Sequence, residues 1–553
     1  MERTGCHSPV QRVQSHRALE DSRKPGLIVL LALLGATGPL AAQAAPDSSS
    51  APVVTRIDLT RRNIFADSEA TFFLPRLVNK LHVTTRPYVI ERELLFQQGG
   101  RLDSLAFNET ARNLRRLGVF RSVRIDTLRS DSGMVVHVAT QDGWSTKPEL
   151  SFRSTGGQTA WRVSLTEENF LGTASRLLVG YEKDPDRSTV ALGFRQPRLI
   201  RGIAGVGLNY ENRSDGTIFN GYLSKPYLSF VDREAWLGSV DVRDERILRY
   251  FEGEPVASDT LLREYRSVYG SYGWAPRSTT QIYHHFGVSG RVWWDKYTPF
   301  GQEFAPGDIQ GMLGLGWEFR RQRYVVVTGF RASREEDVDL STSFRAGVSI
   351  SPSAWGFEEN GVGVNVGFRT AGVVTRKAFA YLDLVANGRF TSSGLDSGTV
   401  MSGATLFYSP FDRHSVVAHV GAGFLNNPRP GGEFDLGLGL GPRGFQNHSF
   451  TGDRALNTTA EYRYMAALDF LKVMDVGVAT FVDWGGAWYN GSKRRTGWDT
   501  GIGLRLGPSR ATDIDLSRID LVYRGKTDRD PAGWLIVIGR GLVFSTNAVL
   551  TRN

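Results

Sequence analysis

The sequence predicts a transmembrane antiparallel β-barrel of about sixteen strands, preceded by a small α+β domain of βααββ order. Three observations carry that expectation. Beyond residue 143 the chain alternates apolar with polar residues at period two, again and again. Glycine, the abundant residue at 62 of 553, recurs on the polar side of that alternation. The chain also opens with an export-type leader, yet no later stretch reaches the ~18 uncharged apolar residues of a spanning helix.

Composition removes several classes of function. Lys+Arg 66 against Asp+Glu 57 gives a net charge of +9, spread along the chain, so no nucleic-acid partner is implied. At 41% hydrophobic and 11% aromatic residues the chain is not intrinsically disordered. Its single cysteine, Cys6, excludes a disulfide framework, a zinc–thiolate site and a cysteine nucleophile.

Residues 1–45 read as a secretory signal peptide. Arg3, Arg12, Arg17, Arg23 and Lys24 precede the apolar run 27–34, and small residues around Ala44 supply an A-x-A-like cleavage site. Gly35, Gly38 and Pro39 interrupt the run where a membrane anchor would be most apolar. An exported chain without a second apolar helix is either soluble or crosses a membrane as strands.

Residues 46–142 read as a small mixed domain. Val53, Thr55, Ile57 and Leu59 alternate as a strand. Residues 88–98 read as a short helix stopped by Gly99 and Gly100. Asp103 or Ser104 can cap a second helix, whose Phe107, Ala111, Leu114 and Leu117 share one face before Gly118 ends it. Two alternating runs around Val123–Ile125 and Met134–Val138 then form a hairpin. The segment near 66–86 is an insert for which the pattern offers a helix or a loop. This stretch resembles a POTRA domain, the periplasmic module of outer-membrane assembly barrels. The resemblance rests on Arg92-Glu93-Leu94-Leu95-Phe96 with Gly99-Gly100, and on Asn113 to Phe120 running into Val123-Arg124-Ile125.

Residues 143–553 read as the barrel. Val362, Val364, Val366 and Phe368 interleave with glycine and asparagine; Phe344, Ala346, Val348 and Ile350 with arginine, glycine and serine. Leu436, Leu438 and Leu440, and Ile519, Leu521 and Tyr523, repeat the pattern. A closed barrel in lipid has this arrangement, apolar outward and polar or small inward, with aromatics near the interfaces. Closure is obligatory, because an open edge in hydrocarbon leaves backbone groups unsatisfied. About 25 residues per strand and connection gives the expected sixteen strands.

Near the end, Pro442-Arg443-Gly444-Phe445 follows an expected strand at 434–441, and Phe481-Val482-Asp483-Trp484-Gly485-Gly486 comes about 40 residues later. Alternation places Asp483 inside, since an aspartate facing lipid costs a few kcal/mol. These residues resemble the conserved loop-six and strand elements of the BamA/TamA family, the bacterial surface antigen proteins. The resemblance implies that Arg443 is the tip arginine, Gly444 the turn, Phe445 the aromatic and Asp483 the inward partner that holds the loop in the barrel. It further implies that Asn457, Glu461 and Arg463 belong to the strand following the tip. Family barrels end on an aromatic; here Phe544 closes the last alternating run, but nine residues follow it.

No Gly-x-Ser-x-Gly elbow, His-Glu-x-x-His motif or phosphate loop is present, so the reading is of a non-enzyme without a cofactor or metal. His284 and His285 are adjacent on a strand and face opposite ways. The function implied by the resemblance is assistance in inserting outer-membrane proteins from the bacterial outer membrane, with the mixed domain in the periplasm. Its partners would be outer-membrane lipids, unfolded outer-membrane or secreted polypeptides, and periplasmic or lipoprotein subunits. The mechanism would be sideways opening of a weak seam between the strand near 150–154 and that at 535–544, weakened by Gly539 and Gly541. A secretion or lipid-export pore of the same superfamily is the alternative, and a surface barrel without a client the third.

Overall fold

The computed structural model describes residues 52–542, apart from 67–72, 102–103, 131–132, 156–157, 201–203, 229–231, 252–253, 257–258, 277–281, 300–308, 332, 334, 376, 438–440 and 510–515. The expected leader, Phe544 and the tail after it lie outside these residues.

The N-terminal part runs β1 (Val54–Arg62), α1 (Phe73–Leu81), α2 (Pro87–Glu91), α3 (Ser104–Arg116), β2 (Phe120–Ser130) and β3 (Gly133–Asp142). The sheet order is β1-β3-β2, with β1 parallel and β2 antiparallel to the central β3. Val54, Val136 and Val138 on the sheet meet Ile90 of α2 and Leu114 of α3 in one core. The insert supplies α1. The helix expected over 88–98 is shorter: it ends at Glu91, where the Glu93 and Leu94 N–H groups turn back to the Ile90 and Glu91 carbonyls at 3.0 and 3.2 Å in a tighter turn, and the Leu95 N–H is taken by the Thr110 hydroxyl at 3.0 Å.

Twenty strands form the closed barrel, each paired antiparallel with its neighbours, rather than the sixteen expected from residue count. The count rises because many connections are tight: residues 171–174, 184–187 and 214–215 take two to four residues each. The outer face of the wall is apolar and uncovered, with Leu315 at 61%, Val348 at 52% and Ile502 at 58% exposed. No second sheet lies against it among the described residues. Trp274, Trp484, Trp498 and Trp534 also face outward, whereas Trp293 is buried on the inner side beside Phe357. The inner face is charged and paired: Arg213 bridges Glu211 and Glu245, and Arg263 bridges Glu245 and Asp295. A large apolar belt of this kind requires a non-aqueous neighbour. No described helix is long and apolar enough to cross a membrane.

The mixed domain meets one end of the barrel. The Arg86 N–H donates to the Gly172 carbonyl at 2.9 Å, and Arg198 pairs with Glu93 at 2.8 Å. Buried Asp142 at the end of β3 accepts from the Thr85 N–H at 2.7 Å; the Thr85 hydroxyl in turn accepts from Asn169 at 2.9 Å. Up-and-down alternation then puts the connection 427–453 at the opposite end.

Candidate functional site

Connection 427–453 folds back into the lumen. Its two short strands, Phe434–Leu436 and Phe450–Gly452, pair with each other and take no place in the wall. Of the strand expected over 434–441, Phe434–Leu436 is paired and its apolar face meets protein rather than lipid, while Leu438 and Leu440 lie outside the described residues. Phe434, Leu436, Phe445 and Phe450 are buried against Leu425, Ala455 and Ala487 of the wall. Gly497 makes room for the aromatic: a Cβ there would lie 2.2 Å from the Phe445 ring.

The tip places Arg443 against the inner wall at 3% exposure. Its Nε donates to Asp483 Oδ2 at 2.6 Å and its Nη2 to Asp483 Oδ1 at 3.2 Å, a two-pronged grip. Nη1 reaches Asp520 at 3.0 Å and Glu461 at 3.2 Å. The guanidinium also stacks 3.6 Å from the Phe481 ring centroid. The Gly444 N–H donates to Asp499 Oδ2 at 2.7 Å, so the turn is held through its backbone as well. Asp483 is almost wholly buried, while its neighbours Val482 and Trp484 are exposed on the outer face.

Of the other residues singled out in the sequence, Glu461 and Arg463 belong to this network. Glu461 accepts from Arg463 Nε at 2.6 Å and from Arg505 Nε at 2.9 Å. Asn457 lies two turns of the pleat away, opposite Gly485, and makes no hydrogen bond to Arg443. Composition and motif reading left out Arg505, Asp520, Arg518 and Asp499. Arg505 spans Glu461 and Asp520, at 2.8 and 2.6 Å. Arg518 donates to Asp520 at 3.3 Å. The signal that could have found them is the one that located Asp483: a charge on the inward register of a wall strand is buried, and buried charges are paired. Thr459 completes the set by donating its hydroxyl to Asp483.

The residues read as the seam border this network at Arg518 without bonding to Arg443. Among the described residues, the closing ladder between Thr146–Thr155 and Gly533–Arg540 registers one pair, Val537 with Arg153. The ladder beside it runs through all 8 residues of Ser517–Arg524 and all 8 of Gly533–Arg540. Gly539 stands opposite Arg518, whose guanidinium nitrogen lies 2.9 Å from where a Cβ would be, so this glycine makes room for a buried arginine. Gly541 follows the strand with φ +67°, and Phe544 lies outside the described residues. His284 stacks on Trp317 on the outer face, and His285 stacks on Tyr227 inside. Among the described residues no group of three or more His, Cys, Asp or Glu is arranged to hold a metal ion.

At the outer end of the connection, His448 clamps three segments together. Its Nδ1 lies 2.5 Å from Asp435, its Nε2 lies 2.7 Å from Asp186, and its ring stacks on Tyr250 at 3.5 Å. Burial works against the imidazolium, but the two carboxylates outweigh it and push the pKa up to about 9 from the ordinary 6.5. A pKa raised on folding contributes stability that is complete below pH 6.5 and lost as the pH rises through 9. The raised value corresponds to about 3 kcal/mol of anchoring at most. Proteolysis of the 427–453 segment is therefore expected to accelerate between about pH 6.5 and pH 9, and His448→Asn, which tolerates the left-handed backbone there, removes the pH step. A rate independent of pH in the native chain would exclude the clamp. Beside it, between the connection and the wall, lies a chamber of about 1060 Å³ lined by Arg187, Arg213, Arg263, Glu245 and Tyr250.

Neither the protein-family models nor the curated proteins compared with the chain match it. Solved structures do. BamA from Haemophilus ducreyi, crystallised lacking POTRA domains 1–3, is similar at 14% identity over 88% of this chain and 84% of that one, with a TM-score of 0.38. CdiB from Escherichia coli is similar at 12% identity over 88% and 76%, with a TM-score of 0.45. CdiB from Acinetobacter baumannii is similar at 11% identity over 89% and 74%, with a TM-score of 0.42.

Proposed function

We propose that this chain is a bacterial outer-membrane barrel of the BamA/TamA kind that assists the insertion of other outer-membrane proteins. Residues 1–45 are its export signal, residues 46–142 a periplasmic POTRA-like domain and residues 143–553 the barrel. The observation that carries this reading is the seam: among the described residues one registered pair closes a wall whose adjacent ladder runs the length of both strands. A short seam separates at low cost and offers unpaired N–H and C=O groups on two edges. An incoming strand that pairs there never exposes bare backbone to hydrocarbon. The arginine-held connection supports the same reading, because it braces the wall strands that lead up to the last one while the seam opens.

Depletion of the protein tests the proposal. Folded barrel proteins are expected to disappear from the outer membrane first, before any one secreted protein or surface lipid. Prior loss of a single secreted protein or of surface lipid would overturn it in favour of an export pore.

A further inference from the structure

A second insertion enters the lumen from the domain end. Residues 171–174 and 471–473 are short turns at that end, but residues 322–341 form a separate hairpin of Tyr324–Thr328 paired with Glu335–Asp339. Its tip leaves the wall and reaches inside. Phe330, 3% exposed, packs edge-on against Phe379 and Phe407, with ring centroids 5.3 and 5.6 Å away, in a cluster that includes Val417 of the wall. The Phe330 carbonyl accepts from Arg463 Nη1 at 2.6 Å, so Arg463 touches this hairpin and, through Glu461, the Arg443 network. Ser333 donates to Asp475 of a neighbouring strand. Leu542, just past the seam strand, packs on the same cluster.

The outer part of the hairpin is held by the mixed domain. Asp337 accepts from Arg115 of α3 at 2.6 and 3.3 Å. Gln322 donates to Glu109 at 3.3 Å, and the Arg112 guanidinium lies 4.9 Å from the Tyr324 ring centroid. One face of one helix thus grips a segment whose other end is buried against the inner wall. The two ends differ in kind: the tip is buried and apolar, whereas the Arg115–Asp337 pair is 40% and 21% exposed and easily broken.

We propose that hairpin 322–341 is a plug of the lumen at the domain end, held in its seated position by α3, so that displacement of the domain withdraws it and uncovers the inner wall at Phe379, Phe407 and Val417. The plug goes beyond the insertion activity proposed above and requires only that the barrel be folded.

Thiol labelling of the full chain in detergent tests this. With Cys6 replaced by serine, Val417→Cys places a thiol beneath the Phe330 tip. Labelling by a charged maleimide is expected to be slow when α3 is native. Arg115→Asp sets two carboxylates against each other and is expected to raise the rate about fivefold, and the charge swap Arg115→Asp with Asp337→Arg to restore the slow rate. Heat-modifiable mobility shows that each variant retains a folded barrel. A folded Arg115→Asp variant that labels at the native rate would overturn the proposal, as would a swap that fails to restore it.

Discussion

Arg443→Ala is expected to cost about 3–5 kcal/mol and to release the 427–453 connection from the lumen, the figure for removing one partner of a buried charge pair. The loss is not shared equally. Glu461 keeps Arg463 and Arg505, and Asp520 keeps Arg505 and Arg518. Asp483 keeps the Thr459 hydroxyl and stands directly opposite Asp499 across the sheet. The damage is therefore concentrated on one carboxylate. Asp483→Asn removes that charge, so the double variant should be less damaged than Arg443→Ala alone, a coupling that a purely steric role of Arg443 would not produce. Arg443→Lys should rescue little: a point-like ammonium cannot hold both oxygens of Asp483 while reaching Glu461 and Asp520. Heat-modifiable mobility for the barrel and protease cutting within 427–453 for the connection are the readouts. An Arg443→Ala protein with native cutting and native unfolding temperature would mean that the guanidinium does not hold the connection.

Much of this arrangement was legible in the sequence because lipid imposes a strict rule on a strand. Alternation at Val482, Asp483 and Trp484 fixes which side chain turns inward, and a buried aspartate demands a cation, so the register and the need for a partner are local properties. What completes the network is not local. Glu461, Arg505 and Asp520 stand on three different strands, and their meeting depends on how each strand is staggered against the next, which period two does not encode. The strand number was misjudged for a related reason. Turn lengths set it, and a four-residue turn such as 171–174, carrying positive φ at Leu171, Gly172 and Ala174, lacks the usual turn dipeptides. Leu436 misled in the opposite way, since an apolar alternation buried against Leu425 and Ala455 reads like one that faces lipid. The hairpin 322–341 gave no signal of its own, because Val325-Val326-Val327 is a β-branched run that any strand could carry.

Joining the first and last barrel strands covalently should abolish the assembly activity while leaving the barrel intact. Positions 153 and 537 face each other across the closing ladder, so cysteines introduced there, in a chain whose Cys6 is replaced by serine, are placed to form a crosslink. At about 1 kcal/mol per backbone hydrogen bond, an eight-residue ladder resists opening far more than a seam with one registered pair among the described residues, and the crosslink takes away that difference. Oxidation is expected to reduce the folding of client barrels at least about tenfold, which corresponds to about 1.4 kcal/mol or more of added barrier. Reduction should restore it, and each single cysteine should behave as the native chain. The connection 427–453 should remain protected throughout, because Asp483 and Glu461 lie on strands away from the seam and keep their hold on Arg443. That separation is what gives the experiment its force: activity lost with the arginine network intact assigns the work to the moving edge. Full activity in the oxidised protein would show that clients are handled without the wall ever parting, and the templating mechanism would have to be abandoned.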